Sequence, residues 1–312
     1  MKISEELSCV SAKKNTVVTV GVFDGVHLGH KHLFKELKRE AERSSNQAAV
    51  VTFLNHPNSV LRPDFRLRFI TSIEDRVALI RESGIDLVVQ ATFDLDLSRL
   101  SAGDFSSLLF RKLKMKQLVV GPDFAMGRNR EGDPETLTNL GLEIGFTVHV
   151  ADPLLDGEEK IIRSTTIRDA LARGEVDIVN SLLGRNFVLT GTVVKGRGMG
   201  MNLGFPTANL NSVEDMAIPG NGIYATWAIF DGSRFMAATS VGTRPTFGKG
   251  DPVVEAFILN YQGNLYGRQI RLEFIHKLRD EIKYDTVQEL KVQIKKDVEE
   301  TKSVLVNKSV TH

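Results

Sequence analysis

Hydrophobic positions follow two different rhythms in the two halves of the chain. In the first half, residues 16–22 (TVVTVGV) are largely apolar and predict a buried strand. Residues 30–42 then place Leu33, Phe34, Leu37 and Ala41 at helical spacing. Residues 48–53 predict a second strand. Residues 72–82 repeat Ile73, Val77 and Ile80 on one helical face, and Gly84 follows as a helix-ending residue. Residues 86–91 predict a third strand. Ser101 is placed to cap a helix carrying Phe105, Leu108, Leu109 and Leu113, and residues 117–121 and 146–150 complete the set. Strands alternating with helices over short connections predict a parallel sheet covered by helices, with ligands at the carboxyl ends of the strands.

Beyond about residue 185 the period shortens. Residues 187–194 alternate weakly. Residues 223–230 and 234–241 flank Asp231-Gly232, a dipeptide suited to a two-residue hairpin turn, and 253–261 and 269–274 predict two more strands. The pattern predicts a small closed antiparallel barrel. A last helix is expected from Thr286, where Thr286 and Glu289 match a capping box. Val287, Leu290, Ile294 and Val298 supply its apolar stripe, and residues 303–312 read as a frayed tail. Two domains of different class are therefore expected, 1–185 and 186–312.

Composition narrows the functions available. The 312 residues include 40 basic and 39 acidic side chains, a formal net charge of +1. A protein that coats nucleic acid carries a basic excess, so no nucleic-acid partner is expected and any anion site must be local. No apolar run approaches the roughly 18 residues of a membrane helix, and the N-terminal segment MKISEELSCVSAKKN lacks the apolar core of a secretory signal. A single cysteine, Cys9, leaves no internal disulfide and no cysteine-based zinc site. The expectation is a cytoplasmic protein without a membrane partner; the sequence carries no signal for an oligomeric state.

The stretch Val22-Phe23-Asp24-Gly25-Val26-His27-Leu28-Gly29-His30 joins the first strand to the first helix. Two histidines three apart suit a metal pair, a helix start with incidental histidines, or an anion site. Zinc needs further ligands; only His32 follows closely, and Lys31 beside it disfavours a cation. The anion reading is stronger. Free N–H groups and the helix dipole favour phosphate there, Gly29 permits close approach, and imidazole N–H groups can stabilise charge on phosphorus. Three more polar clusters fall at predicted element ends. One is Thr52-Phe53-Leu54-Asn55-His56-Pro57. The second is the glycine-rich run 121–132, with Asp123, Gly127, Arg128 and Arg130 as a candidate phosphate loop. The third is Arg163-Ser164-Thr165-Thr166-Ile167-Arg168, where Ser164 is placed to cap a helix and Arg168 sits one turn in.

In the second half, residues 194–209 (VKGRGMGMNLGFPTAN) combine a glycine-rich loop with Pro206-Thr207-Ala208-Asn209. The spacing is not that of a Walker A loop. Thr207 and Asn209, two apart on an extended segment, point the same way, as oxygen ligands of Mg²⁺ would. Glu255 alternates with apolar neighbours on a predicted strand. A carboxylate there either faces solvent or serves as a base toward an alcohol, whose high pKa makes one useful.

Taken in order, these segments resemble a known family. G-V-F-D-G-V-H-L-G-H, T-F-x-x-H-P, G-x-D-F-x-x-G and S-T-x-I-R resemble the Rossmann-like nucleotidyltransferase module of bacterial bifunctional riboflavin kinase/FAD synthetases. G-x-x-L-G-F-P-T-A-N, G-I-Y, V-G-T-R-P-T-F, V-E-A-F and L-Y-G followed by L-R-D-E resemble its riboflavin kinase module, a six-stranded barrel with a terminal helix. The resemblance spans about residues 16–300. It implies that riboflavin and ATP give FMN in the C-terminal domain, and that FMN and ATP give FAD and pyrophosphate in the N-terminal one, with Mg²⁺ as the cofactor.

By the same resemblance His27, His30 and Arg168 would hold phosphates and the transition state. Phe23, Asp24, Gly29, His56, Gly127 and Arg130 would be further contacts, Asp123 would lie on the flavin side, and Ser164 and Thr165 on the ATP phosphates. In the kinase half Glu255 would be the base for the ribityl hydroxyl, and Thr207 and Asn209 would hold Mg²⁺. Gly196, Gly204, Phe205, Pro206, Tyr224 and Arg279 would complete that site, Arg279 near the flavin. Three positions depart from the family pattern: Arg163 stands in place of a serine, Met201 where arginine is frequent, and Phe257 in place of a histidine. An extra arginine at 163 either adds a phosphate contact or points to solvent. The rival readings are a single-activity transferase with a degenerate kinase half, and a flavin sensor without catalysis.

Overall fold

The structure is a computed structural model, and it describes residues 2–62, 64–157, 160–196, 200, 203–211, 216–243 and 252–309. The chain divides into two compact units, 1–164 and 165–312.

The first unit alternates strands and helices. In chain order its elements are α1 (Lys2–Ser8), β1 (Thr16–Gly21), α2 (Leu28–Arg43), β2 (Gln47–Phe53), α3 (Pro57–Leu61), α4 (Ile73–Glu82), β3 (Leu87–Ala91), α5 (Leu95–Ser98), α6 (Ala102–Leu113), β4 (Met115–Val120), α7 (Pro134–Ile144) and β5 (Thr147–Val150). All strand pairs are parallel, in the order β3-β2-β1-β4-β5. Both faces are covered, which is why β1 and β2 are buried along almost their whole length. Phe34, Leu37 and Ala41 of α2 pack on one face with Val17 and Val50. Phe105, Leu109 and Leu113 of α6 pack on the other with Val18, Val20 and Ala49. Ser101 caps α6 as expected, accepting from the Asp104 N–H, and Ser72 caps α4 in the same way through the Asp75 N–H. Gly84 takes a φ of +78° just past α4, the left-handed conformation that ends a helix.

Four helices of this unit escape the pattern reading: α1, α7 and the single-turn α3 and α5. α1 is short and polar except for Ile3 and Leu7, both fully buried. α7 starts at Pro134, capped by the Asp133 carboxylate on the Thr136 N–H.

The second unit begins with α8 (Ser164–Ala172, its first residue shared with the first unit) and α9 (Val176–Leu183). A closed antiparallel barrel follows: β6 (Phe187–Val194), β7 (Thr207–Asn211), β8 (Gly222–Phe230), β9 (Ser233–Thr243), β10 (Pro252–Ile258) and β11 (Gln269–Arg279), ordered β10-β7-β6-β11-β8-β9. Residues alternate in and out, as β6 shows with Phe187, Leu189 and Val193 inside. Asp231 and Gly232 both take positive φ, +49° and +72°, the two-residue turn that matches strand twist.

The last helix, α10 (Val287–Ser309), carries the expected capping box: Glu289 N–H donates to Thr286 Oγ1 and Thr286 N–H to Glu289 Oε2. Its buried side differs from the expected stripe. Val287 is exposed, and the fully covered positions are Asp297, Thr301 and Leu305. An ion pair from the barrel to Asp297 shifts the contact face round the helix. The expected frayed tail is helical through Ser309, because Leu305 is buried against Ala225 and Ile275.

Candidate functional sites

In the first unit the strand order reverses direction between β1 and β4, the position at which open α/β sheets bind ligands. A cavity of about 320 Å³ opens there, lined by Thr19 and Val20 of β1, Val120 of β4, and His27, Gly29, His30, Asp123, Arg163 and Ser164. The turn into α2 is tight: Phe23, Gly25 and Val26 all have positive φ. His27 is the N-cap of α2, its Nδ1 accepting from the His30 N–H at 3.3 Å. Since Nδ1 accepts, the proton of neutral His27 sits on Nε2 as a donor. The His27 and His30 rings stack with centroids 3.6 Å apart, and Phe23 meets His30 edge-on. A Cβ on Gly29 would stand 3.2 Å from the His27 ring and from the Ile162 carbonyl. The glycine therefore lets the helix start press against both. Imidazoles and a helix start lining one cavity suit an anion.

Asp24 belongs to the scaffold of this turn rather than to the cavity lining. Its carboxylate accepts from the N–H groups of Ile70 (2.9 and 3.1 Å) and Thr71 (3.2 Å) and lies 3.9 Å from the fully buried Arg76. Arg76 Nη1 donates to the Phe53 carbonyl, tying the end of β2 to the same turn. Burial pulls the Arg76 guanidinium below the ordinary arginine value, and Asp24 opposes that shift.

Ser164 is the first residue of α8, and its hydroxyl donates to the Asp24 carbonyl at 2.9 Å, closing the histidine turn from the other side. Thr165 and Arg168 follow in the first two turns of α8, within the second unit. The extra arginine at 163 neither points into solvent alone nor stands apart: Arg163 forms an ion pair with Asp123 among the cavity-lining residues.

The glycine-rich run does not bring its arginines to the histidines. Arg128 N–H donates to the Leu100 carbonyl and Glu131 accepts from the Ala102 N–H, so the loop is pinned on the start of α6. A Cβ on Gly127 would lie 2.5 Å from the Ala102 nitrogen, so the glycine serves that packing. Gly127 and Arg130 are absent from the cavity lining. His56 caps α3 through Nδ1 on the Asn58 N–H and stacks on Phe65; it too lies outside that lining.

In the barrel, register makes the site. Thr207 and Asn209 share one face of β7. Across the β7–β10 ladder Asn209 stands opposite Glu255, and Thr207 opposite Phe257. On the other side of β10, Glu255 stands opposite Ser240 of β9. The expected solvent-facing alternative for Glu255 is thus replaced by a half-buried position between two polar neighbours. A cavity of about 480 Å³ is lined by Gly196, Pro206, Thr207, Asn209, Tyr261 and Asn264 among others. A second, of about 410 Å³, is lined by Ser240, Arg279, Glu281, Tyr284 and the start of α10. Glu255 lies on the strand between a residue of each.

Asn209 Oδ1 is buried with no hydrogen-bond partner, and the Gly196 backbone passes so close that a Cβ would sit 2.4 Å from Asn209 Nδ2. An unpaired carbonyl oxygen and a hydroxyl two residues away are oxygen donors of the kind a hard cation takes. Phe257, which departs from the family pattern, packs edge-on against Phe205 at 5.3 Å. Gly204 takes a φ of +86° before it. Met201 lies outside the described residues.

Two expected barrel contacts are engaged within the protein. Tyr224 is fully buried against Phe274, and its hydroxyl donates to the Gly220 carbonyl; burial pushes its phenol up. Arg279 forms a bidentate pair with Asp297, Nε to Oδ1 at 2.8 Å and Nη2 to Oδ2 at 2.7 Å. Those bonds hold its guanidinium above the ordinary arginine value.

A parallel-sheet unit with an imidazole-lined cavity at its switch point, and a barrel that sets Glu255 opposite Asn209, fit a two-site phosphoryl- or nucleotidyl-transferase. The comparisons specify which. The FAD synthetase family profile matches residues 9–166, and the riboflavin kinase profile matches residues 183–305. The bifunctional riboflavin kinase/FMN adenylyltransferase of Escherichia coli K12 is 34% identical over 91% of this chain and 91% of its own. That of Listeria monocytogenes is 33% identical over 93% and 92%. A crystal structure described as a macrolide-efflux protein from Streptococcus pneumoniae matches 97% of both chains with a TM-score of 0.88 at 28% identity. Among the described residues no helix is long and apolar enough to cross a membrane.

The chain belongs to the bifunctional riboflavin kinase/FMN adenylyltransferase family, with the FMN adenylyltransferase part N-terminal and the riboflavin kinase part C-terminal.

Proposed function

We propose that residues 1–185 act as the FMN adenylylation module and 186–312 as the riboflavin kinase module, and that the chain works in the cytoplasm on riboflavin, FMN and ATP. The reading is carried by the placement of Glu255 between Asn209, which lines one barrel cavity, and Ser240, which lines the other. ATP takes the cavity of Thr207 and Asn209, and the flavin takes that of Ser240. Glu255 accepts the ribityl hydroxyl proton as the alcohol oxygen bonds to the γ-phosphorus and ADP leaves. Thr207 and Asn209 hold Mg²⁺, which neutralises phosphate charge; the buried unpaired oxygen of Asn209 supports that role.

In the first unit a phosphate oxygen of FMN forms a bond to the α-phosphorus of ATP, and the bond from that phosphorus to the bridging oxygen breaks to release pyrophosphate. A phosphate monoester has its second pKa near about 6, so the nucleophile is already ionised and no base is required. His27 and His30, with the N–H groups of α2, stabilise charge at the reacting phosphorus. Arg168, Ser164 and Thr165 act on the ATP phosphates and Asp123 on the flavin side. Chromatography of flavin products from the purified chain with riboflavin, ATP and Mg²⁺ tests the reading. FMN followed by FAD and pyrophosphate is expected; FMN without FAD removes the first unit's activity, unchanged riboflavin removes the kinase activity, and no FAD from FMN supplied directly removes the adenylylation.

A further inference from the structure

The barrel cavity assigned to the flavin contains a hydrogen-bonding group that no motif marks. The arginine in its wall is engaged through each of its three nitrogens: Arg279 gives Nε and Nη2 to Asp297 and Nη1 to the Asp280 carbonyl at 2.9 Å. Asp297 is held in turn by Gln293 at 2.9 Å. This guanidinium shapes the wall and fastens α10 to β11.

Tyr284 is the opposite case. It lines the same cavity, just before the capping box of α10. Its ring is half-buried, and its hydroxyl oxygen is buried without a hydrogen-bond partner. Native proteins leave few such atoms, because a hydroxyl removed from water and left unpaired costs stability. Phenylalanine would fill the same space without that cost. A phenol kept at a cavity wall with its hydroxyl unpaired is therefore matched to something that enters the cavity.

We propose that the Tyr284 hydroxyl is a flavin-recognition group of the kinase site, hydrogen-bonded to riboflavin when the cavity is filled. The inference rests on the flavin reading of that cavity given above. A flavin offers two kinds of partner, the polar edge of its ring system and the hydroxyls of its ribityl chain; both hydrogen-bond to a phenol. Tyr284 acts in binding, not in proton transfer, which belongs to Glu255 on β10.

The test is Tyr284→Phe in the full chain, which removes one oxygen and keeps the ring. Riboflavin affinity, read by quenching of flavin fluorescence, is expected to weaken roughly 3- to 10-fold, the worth of one neutral hydrogen bond. KM for ATP and kcat at saturating riboflavin stay at wild-type values. The unfolding temperature without ligand stays equal or rises, since the lost hydroxyl was unpaired. Lumiflavin, which lacks the ribityl chain, separates the two partners. Equal weakening for both ligands assigns the bond to the ring edge, and weakening for riboflavin alone assigns it to the chain. Wild-type riboflavin affinity in the variant overturns the inference and leaves the flavin reading standing. A fall in unfolding temperature with unchanged affinity also overturns it, because the hydroxyl would then serve the fold. A wild-type chain that binds no riboflavin overturns both.

Discussion

The two units handle phosphate with different chemistry because their nucleophiles differ. In the first, the attacking group is a phosphate that is already ionised, and the cavity is lined by imidazoles and a helix start, with its one lining ion pair, Arg163–Asp123, half in solvent. In the barrel, the attacking group is an alcohol, and a carboxylate stands on a strand beside a buried amide oxygen. A transferase needs a base only where the nucleophile must lose a proton. The contrast between a turn full of histidines and a ladder carrying one glutamate follows from that requirement.

Single substitutions should separate the two chemistries. The largest effect is expected from Glu255→Gln. Phosphorylation of riboflavin should fall by about 10²- to 10⁴-fold, while FAD formation from supplied FMN keeps its rate. His27→Ala should do the converse, lowering FAD formation by roughly 10²- to 10³-fold and leaving FMN formation within about twofold of wild type. Loss of both activities from either change would break the comparison, because the units would then not act separately. Asn209→Ala should move the Mg²⁺ titration midpoint of the kinase reaction by roughly tenfold and leave that of FAD formation in place.

Smaller changes sharpen it. Arg163→Ser should raise KM for ATP or for FMN a few-fold with no change in unfolding temperature, since an exposed ion pair is worth about 0–1 kcal/mol. Unchanged KM values for both substrates would assign Arg163 to Asp123 alone. The smallest effect concerns pH. Burial opposes the charged form of Asp177, but bonds from Lys308 at 2.6 Å and His276 at 2.8 Å outweigh it and hold the carboxyl below its usual range. A depressed carboxylate contributes stability above its unfolded pKa, about 3.9, and loses it as pH falls through the folded value. Asp177→Asn should therefore lower the unfolding temperature of the second unit slightly near pH 7, and the difference should vanish in acid. With Asp177 about half exposed, the effect should stay within about 1 kcal/mol.

Much of the fold was legible because burial is periodic. The strands β1, β2, β3 and β6 are readable from apolar spacing, as are α4 with Gly84 at its end and α6 with Ser101 at its start. α1 was not, since two buried residues in seven, Ile3 and Leu7, make no periodic signal. α7 went unread beside the glycine-rich run that precedes it, although Asp133-Pro134 is a helix-start pair. β7 read as an extended turn because Pro206 and a glycine-rich loop precede it. Residues of the sites divide the same way. His27, His30, Thr207, Asn209 and Glu255 carry chemistry in their side chains and sit where motif and pattern placed them. Gly127 and Arg130 read equally well as a phosphate loop, but the packing of Gly127 on Ala102 depends on a contact with no local signal. Tyr284 was invisible, since only a solved environment distinguishes an unpaired phenol from a core one.

Pairing Glu255 with Asn209 on one rung of the barrel has a consequence for how this enzyme tolerates change. The distance between the proposed base and the proposed cation ligand is set by hydrogen bonds of the backbone, not by the length or rotamers of loops. Val254, Ala256 and Ile258, all turned into the barrel, lock the rung, because a slip of one residue would carry all three to the outside and the glutamate within. Insertions in the glycine-rich loop before β7 can then reshape the nucleotide cavity without altering the catalytic spacing. The barrel acts as a ruler, and its markings are written in main chain.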